Sequence, residues 1–402
     1  MLNNEKIVCI SYSTWDGPYT KSTVQLMSLL AKDNEVLFVE YPYTIKDLFY
    51  GFIGKLNIPA ARLLGIKNRL KKETTAFQSS VFNYVIPPIV PFNVFQKDWI
   101  YSFFLRINTG IYRRSIKKIL CKLNWTNPIV INAYNPIFGE TLKGAFNEKA
   151  LIYYCYDGFL TDRRGMRAYQ ADQTFSSLAN GIIVSSDYLK EQKLRYNQQV
   201  VSVKNGVDFD LFSHFAKASP SGSTRKKIGY IGSIDQRFDI ETIEYTVSRL
   251  SHCDFEFVGE VRNQKVEETL SKYPNVTFAP PVKPSEVPGL LHRCDAGIIP
   301  YICDEINKNV YPLKINEYLA VGVPLVITDF AKLSDFDEYV KVAKSKEEFH
   351  EYLVHELATD NAAKIQARIW FASKNSWQAR AKQFAQAIAD FKNCTKSKEN
   401  NL

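Results

Sequence analysis

Apolar positions along this chain gather into short buried-type runs alternating with stretches of helical spacing. Ile7–Ile10 opens as a strand, a polar turn over Ser11–Lys21 follows, and Val24, Leu26, Leu29 and Leu30 mark a helix. Val36–Val39, Ile129–Ile131, Leu151–Cys155, Ile182–Val184 and Val200–Val203 continue the strand series. Continuous apolar runs separated by helices point to parallel strands covered on both faces. A second series begins at Ile228–Ile231 and continues through strands at Phe255–Val258, Val276–Phe278 and Ala296–Ile299, with helices at Ile240–Leu250, Val266–Leu270 and Val287–Leu291. The polar segment Lys217–Lys227 precedes it as a linker or exposed turn. The expectation is α/β, with two doubly wound Rossmann-like domains. Boundaries fall at 1–205 and 206–375. Residues 376–402 form a helix, periodic in apolar residues from Trp377 to Phe391, plus a disordered tail from 392.

The rhythm breaks between 41 and 125, a Pro-bearing, basic and aromatic stretch read as an insertion of helices at one sheet edge. Lys46 to Lys122 holds fourteen Lys/Arg against Asp47, Glu73 and Asp98, a balance of +11, whereas the 402-residue chain totals +9. Phe92, Phe95, Trp99, Tyr101, Phe103, Phe104 and Tyr112 lie in the same stretch, followed by Arg113, Arg114, Lys117, Lys118 and Lys122. Cations beside exposed aromatics suit an anionic membrane surface. The alternative has the aromatics facing the core beneath solvated cations. No nucleic-acid-binding signature accompanies the charge, so nucleic acid is not an expected partner.

Seven scattered cysteines with no zinc-type spacing fit a reducing compartment and a cytoplasmic location, peripheral on the inner face of the plasma membrane if the basic stretch binds lipid. There is no signal-peptide pattern and no apolar run near the ~18 residues that span a bilayer. The absence of a P-loop, a nucleophile elbow or a Gly-rich dinucleotide fingerprint argues against NTPase, esterase and dehydrogenase chemistry.

The most informative stretch is Tyr311–Thr328, YPLKINEYLAVGVPLVIT. Pro312 suits a first helical turn. Leu313, Ile315, Tyr318 and Leu319 form an apolar face, and Lys314 and Glu317 lie a turn apart on the other. Gly322 fits a left-handed cap and Pro324 stops the helix before the strand run Leu325–Ile327. Lys314 and Glu317 therefore sit near a helix N-terminus, where a phosphate binds well. A solvated Lys–Glu pair is the plain alternative.

This segment resembles the donor-binding signature of GT-B glycosyltransferases, in particular the family 4-like enzymes of bacterial surface-polysaccharide synthesis. The resemblance implies two Rossmann-like domains facing across a cleft, a C-terminal helix that crosses back to the first domain, and a Glu317 that binds the ribose hydroxyls of a nucleotide-sugar. The family's second glutamate, eight residues upstream, is replaced here by Asn309, with Glu305 out of register. GYIGSIDQRFD, Gly229–Asp239, resembles the family's glycine loop, with Gly232 and Ser233 in the turn and Arg237 as the downstream cation; an ordinary strand–turn–helix link is the alternative. KNGVD, Lys204–Asp208, resembles a structural turn in which Gly206 permits an unusual φ. Ser13–Met27 resembles the acceptor-side loop, with a turn at Gly17–Pro18. YYCYDGF, Tyr153–Phe159, leaves Asp157 at the carboxyl end of a strand, either as the base for an acceptor hydroxyl or as a cap for the next helix.

The expected enzyme is a nucleotide-sugar-dependent hexosyltransferase using a UDP- or GDP-sugar donor and a saccharide or lipid-linked acceptor. Lys314, Arg237, Gly232 and Ser233 would stabilise the departing diphosphate without metal or other cofactor. The D-x-D pairs Asp208/Asp210 and Asp335/Asp337 lack a metal-site context. A sugar-nucleotide epimerase of similar plan and a non-catalytic nucleotide- or membrane-binding relative are the alternatives.

Overall fold

A computed structural model describes residues 2–17, 21–159 and 165–399. The chain divides into two compact units, one of residues 1–203 and 381–402, the other of residues 204–380.

The first unit holds β1 (Lys6–Ser11), β2 (Glu35–Val39), β3 (Leu70–Thr74), β4 (Ser80–Tyr84), β5 (Ile129–Ala133), β6 (Ala150–Cys155), β7 (Gly181–Val184) and β8 (Val200–Ser202). They form one sheet in the order β3-β4-β2-β1-β5-β6-β7-β8. Every pairing is parallel except β3 with β4. The central strands are buried on both faces, as parallel sheets under helices must be.

The 41–125 stretch is more than appended helices. It supplies β3 and β4 to the sheet edge, and its Asp98–Lys122 helix buries Tyr112, Ile116, Ile119 and Leu120. Its aromatics divide between core and surface. Phe92 and Tyr112 are core residues, whereas Trp99 and Phe103 are exposed. The tail expectation is corrected: the last helix runs from Trp377 to Glu399, through residues expected to be disordered. Its buried Phe384 meets Tyr154 edge-on at 5.1 Å, and Lys392 bonds Glu5 at 2.8 Å. Phe391 lies where a Cβ on Gly181 would stand, 2.2 Å from its ring, so only glycine admits this helix.

The second unit holds β9 (Lys227–Ile231), β10 (Asp254–Val258), β11 (Val276–Ala279), β12 (Ala296–Ile299), β13 (Leu325–Thr328) and β14 (Val340–Ala343), all parallel in the order β11-β10-β9-β12-β13-β14. The helix Leu313–Val321 packs on this sheet through Tyr318, which is buried to 1% exposure. The Tyr318 hydroxyl donates to the Gly229 carbonyl at 3.0 Å and accepts from Ile231 N–H at 3.2 Å. Gly297 clears space for it, since a Cβ there would stand 2.2 Å from the Tyr318 ring. Gly322 closes the helix at φ +84°, the left-handed cap that the sequence calls for. Pro312 stands one residue earlier than expected, as the N-cap.

The role assigned to Gly206 also changes. It is not among the described glycines with positive φ. A Cβ there would meet Asn375 O and Trp377 N at 3.0 Å, so the constraint is close backbone approach. Lys217–Lys227 is largely an exposed turn, anchored by a buried Lys217 whose ammonium bonds Cys294 O.

Gly297→Ala should cost about 1–3 kcal/mol, because the Tyr318 ring between helix and sheet has nowhere to move. Urea unfolding measures this, and an unchanged midpoint would contradict the packing described.

Candidate active site

The candidate residues fall on both units. On the second, β9 ends at Ile231 and the chain turns through Gly232, at φ +144°, beside Gly259, at φ +152°. The two backbones are in close contact, since a Cβ on Gly259 would stand 2.0 Å from Gly232 O. A Cβ on Gly232 would lie 2.2 Å from Lys314 Cε and 2.5 Å from its Nζ. The ammonium of Lys314 therefore rests directly over the bare Cα of Gly232. The expected loop and the expected lysine, over eighty residues apart in sequence, are brought together.

Two tyrosines hold the cations. Lys314 Nζ lies 5.5 Å from the Tyr230 ring centroid, and the Arg237 guanidinium lies 5.0 Å from that of Tyr301. The two phenol oxygens are 3.2 Å apart in the core. A cation over a desolvated ring is held at roughly 0.5–2 kcal/mol. Arg237 is also forked onto Asp235, Nε to Oδ1 at 2.9 Å and Nη2 to Oδ2 at 2.7 Å. Burial pushes Asp235 up, but the bonds from Arg237 outweigh it and leave the carboxyl below its usual range. The same bonds raise Arg237 further above its already high value. Arg237 thus carries its own counter-ion, and Lys314 is the cation of this loop without an ion-pair partner among the described residues.

The Gly232 N–H bonds Val258 O at 2.8 Å, so its contribution is steric: no side chain can stand between backbone and ammonium. Ser233 gives its carbonyl to the Tyr230 hydroxyl at 2.8 Å, and its own hydroxyl makes no hydrogen bond among the described residues.

Glu317, one turn beyond Lys314, is half-buried and makes no hydrogen bond or ion pair among the described residues. Burial pushes its carboxyl above the ordinary value, and the nearby Lys314 only partly opposes that. The Leu313–Val321 helix has no side-chain cap and no acid in its first turn, leaving its leading N–H groups and positive dipole end uncompensated. Asn309 is buried at 7% exposure and donates to Glu305 O at 2.8 Å and Ile306 O at 3.2 Å. Its Oδ1 has no partner among the described residues.

On the first unit, Asp157 is exposed just past β6, its Oδ1 accepting from Gly158 N–H at 2.8 Å. The next described helix starts at Met166 with Gly165 as its N-cap, so Asp157 does not serve as that cap. Gly17 is exposed, and the Thr14–Asp16 loop before it is gathered by Lys21 Nζ, which donates to Thr14 O at 2.8 Å and Asp16 O at 2.6 Å. Pro18, the other half of the expected turn, lies outside the described residues. The D-x-D carboxylates have local partners: Asp208 caps the Phe209–Ser213 helix, and Asp335 pairs with Lys204 at 2.6 Å.

Residues 225–367 match the family model for glycosyl transferases group 1. The chain is 26% identical over 277 residues, 58% of its own length and 70% of the other's, to TuaH of Bacillus subtilis (strain 168), named for a glycosyltransferase role in teichuronic acid biosynthesis. Among solved structures it resembles sucrose-phosphate synthase from Thermosynechococcus elongatus, with a TM-score of 0.69 at 15% identity, covering 96% of this chain and 99% of that one. It also resembles a UDP-forming α,α-trehalose-phosphate synthase from Burkholderia xenovorans, with a TM-score of 0.68 at 11% identity, covering 95% and 100%. The fold is the two-Rossmann-like GT-B plan. The chain is a glycosyltransferase, and its match to the group 1 model lies within the second unit.

Glu317 gives this unit a pH signature. Its folded carboxyl holds a proton more tightly than the unfolded chain does. Stability therefore falls as pH rises from the ordinary value of 4.5 to the folded one, and below both values nothing is lost. Glu317→Gln should raise the melting temperature at pH 7 and leave it unchanged at pH 3. A lower melting temperature at pH 7 would show that the ionised carboxylate has a stabilising partner.

Proposed function

We propose that this glycosyltransferase takes its sugar from a UDP- or GDP-sugar and passes it to a hydroxyl of a saccharide or lipid-linked acceptor in surface-polysaccharide synthesis. The single observation carrying the donor assignment is the Lys314 ammonium lying over the bare Cα of Gly232, beside an uncapped helix N-terminus. Such a place favours a diphosphate. Glu317, raised by burial and lacking a partner among the described residues, gains two hydroxyl donors when a ribose approaches. The name of the Bacillus relative supports the surface-polysaccharide setting.

In this scheme the leaving diphosphate is stabilised as charge develops on it. Lys314 faces the phosphates, the helix N–H groups add donors, and the Ser233 hydroxyl is available to donate. Arg237 contributes less than its charge suggests, because Asp235 already occupies two of its nitrogens. Asp157 is the acceptor-side carboxylate and Gly17 belongs to the acceptor-side loop. These roles use side chains and backbone alone, with no metal.

Lys314→Ala and Glu317→Ala should each weaken nucleoside diphosphate binding by roughly 10- to 150-fold, the worth of a charge-assisted hydrogen bond of about 1.5–3 kcal/mol. Arg237→Ala should weaken it less. Calorimetry on the folded variants measures this, and equal losses for Lys314 and Arg237 would place both cations on the ligand. Sugar transfer that stops with EDTA and returns with Mn²⁺ would contradict the metal-free scheme.

A peripheral membrane partner is the second part of the reading. The Ile45–Phe52 helix buries none of its residues, and Ile45, Phe49, Phe52 and Ile53 are exposed along one helical stripe beside Lys46 and Lys55. Trp99, Phe103 and Ile107 repeat the pattern on the Asp98–Lys122 helix, continuing into Arg114 and Lys118. No described helix is long and apolar enough to cross a membrane. Phe49→Ser with Phe52→Ser should reduce sedimentation with anionic phosphatidylglycerol vesicles and spare nucleotide binding. Sedimentation equal to wild type would remove this helix from the interface.

A further inference from the structure

The chain passes from the first unit to the second between Val203 and Lys204 and returns between Arg380 and Ala381. Inside the second unit the outgoing and returning segments lie side by side. Val207 N–H donates to Asn375 O at 3.1 Å and Trp377 N–H donates to Val207 O at 3.0 Å, a single parallel bridge. Both segments are also bonded to the Leu313–Val321 helix that carries Lys314 and Glu317. Asn205 clasps its start, with Nδ2 donating to Tyr311 O at 2.8 Å and its own carbonyl accepting from Asn316 Nδ2 at 3.3 Å. Asn316 Oδ1 then accepts from Asn375 Nδ2 at 3.1 Å, and Asn375 Oδ1 accepts from Arg380 Nη2 at 2.6 Å. Lys204 adds an anchor at the same place. Its ammonium bonds both oxygens of Asp335 at 2.6 Å and lies 5.7 Å from the Tyr311 ring centroid.

Core packing does not ask for this ladder. Asn316 is wholly buried, and Asn375 and Arg380 are buried at 7% and 8% exposure. A buried amide costs free energy unless it is hydrogen-bonded, whereas an aliphatic side chain like those of Ile315 and Leu319 carries no such cost. What the amide supplies is direction. Its donor ties the helix to the outgoing segment and its acceptor ties it to the returning one. Buried hydrogen-bond chains of this kind reinforce one another and hold one arrangement. Asn316 stands directly before Glu317 in a helix of nine residues, so whatever seats Lys314 and Glu317 also seats Asn316.

We propose that Asn316 is a positioning residue that couples the donor helix to both crossings of the chain, so that a nucleoside diphosphate on Lys314 and Glu317 suppresses local opening of Lys204–Val207 and Asn375–Arg380. This rests on the donor reading above and adds a consequence of binding to it. The helix start has no side-chain cap, and its half-buried Glu317 makes no hydrogen bond or ion pair among the described residues. A ligand that bonds the leading N–H groups and the carboxylate fixes the first turn. Asn205 and Asn316 pass that restraint to the two segments, which are then stiffest with donor in place. Such coupling needs no change of shape, only a shared fluctuation that the ligand removes. It is reciprocal, so a ladder that holds the segments also holds the helix ready for its ligand.

Amide hydrogen exchange on the full chain, with and without saturating UDP or GDP, tests this. In the wild type the nucleotide that binds should slow exchange at Val207 and Trp377 by about three- to tenfold, the worth of one hydrogen bond. The end of the Ile240–Arg249 helix leads into the amino-terminal end of β10, at the opposite edge of the sheet. Its Ser248, Arg249 and Leu250 amides should change by less than about twofold, which separates a local effect from general stabilisation. In Asn316→Ala at saturating nucleotide, the slowing at Val207 and Trp377 should fall below about twofold. Asn375→Ala leaves the donor helix's own side chains intact, should lower the slowing at Trp377, and carries the test if Asn316→Ala does not fold. Three results would overturn the coupling and leave the donor assignment standing: nucleotide binding that slows neither amide, slowing no greater than at Leu250, or slowing unchanged in the variants. A wild-type chain that binds neither UDP nor GDP by calorimetry would overturn the donor assignment, and the coupling with it.

Discussion

The second unit of this molecule depends on one close approach, the Lys314 ammonium against the bare Cα of Gly232. That approach requires glycine in the turn after β9. It also requires the Leu313–Val321 helix to stand at one height above the sheet, which the Tyr318 hydroxyl fixes by bridging Gly229 and Ile231. Gly297 and Gly259 serve the same end, one making room for the tyrosine and the other for the Gly232 carbonyl. Several separate glycines thus answer to one geometric demand.

Charge in this unit is arranged unequally. Arg237 is neutralised by Asp235, whereas Lys314 rests on an aromatic face and Glu317 is half-buried at a desolvation cost. Paired charges stiffen a loop; unpaired ones hold interaction energy that a ligand can release. The apo protein gives up stability at Glu317, and a ligand bringing hydroxyls to it and anionic oxygens to Lys314 would return it. The first unit carries a tyrosine just past each of β2, β1, β5 and β6 (Tyr41, Tyr12, Tyr134 and Tyr156), and their rings meet in turn.

Much of this was legible in the sequence because the strongest signals are local. Buried parallel strands read as plain apolar runs, and a Gly–x–Pro stop after an amphipathic turn marks a helix end wherever it occurs. Three strands escaped notice: β4 lies in the stretch read as helices although it is largely buried and pairs parallel with β2, whereas β3 and β14 break this rule. β3, with Lys71, Lys72 and Glu73, is an antiparallel edge whose charges suit an exposed rim. β14 is short and half-exposed. At the site, the Gly232 turn, Lys314 and Glu317 were visible, but their partners were not. Asp235 reads as a loop acid until its fork with Arg237 is seen. Tyr230 and Tyr301 read as strand aromatics until their hydroxyls meet. Tyr12, Tyr41, Tyr134 and Tyr156 are scattered over 145 positions of sequence, and only strand order makes them a row. Their one sequence-level signal, a tyrosine shortly after each apolar run, has meaning only once those runs are known to be neighbours.

The central claim is that a nucleoside diphosphate settles against Lys314 and the Gly232–Ser233 turn. Titrating UDP and GDP into isotopically labelled protein while following the Lys314 side-chain ammonium and the Gly232 and Ser233 amides by NMR tests it directly. The account expects these three signals to shift together and to saturate at one ligand concentration. Saturable binding that moves other residues of the chain and leaves all three unmoved would contradict it.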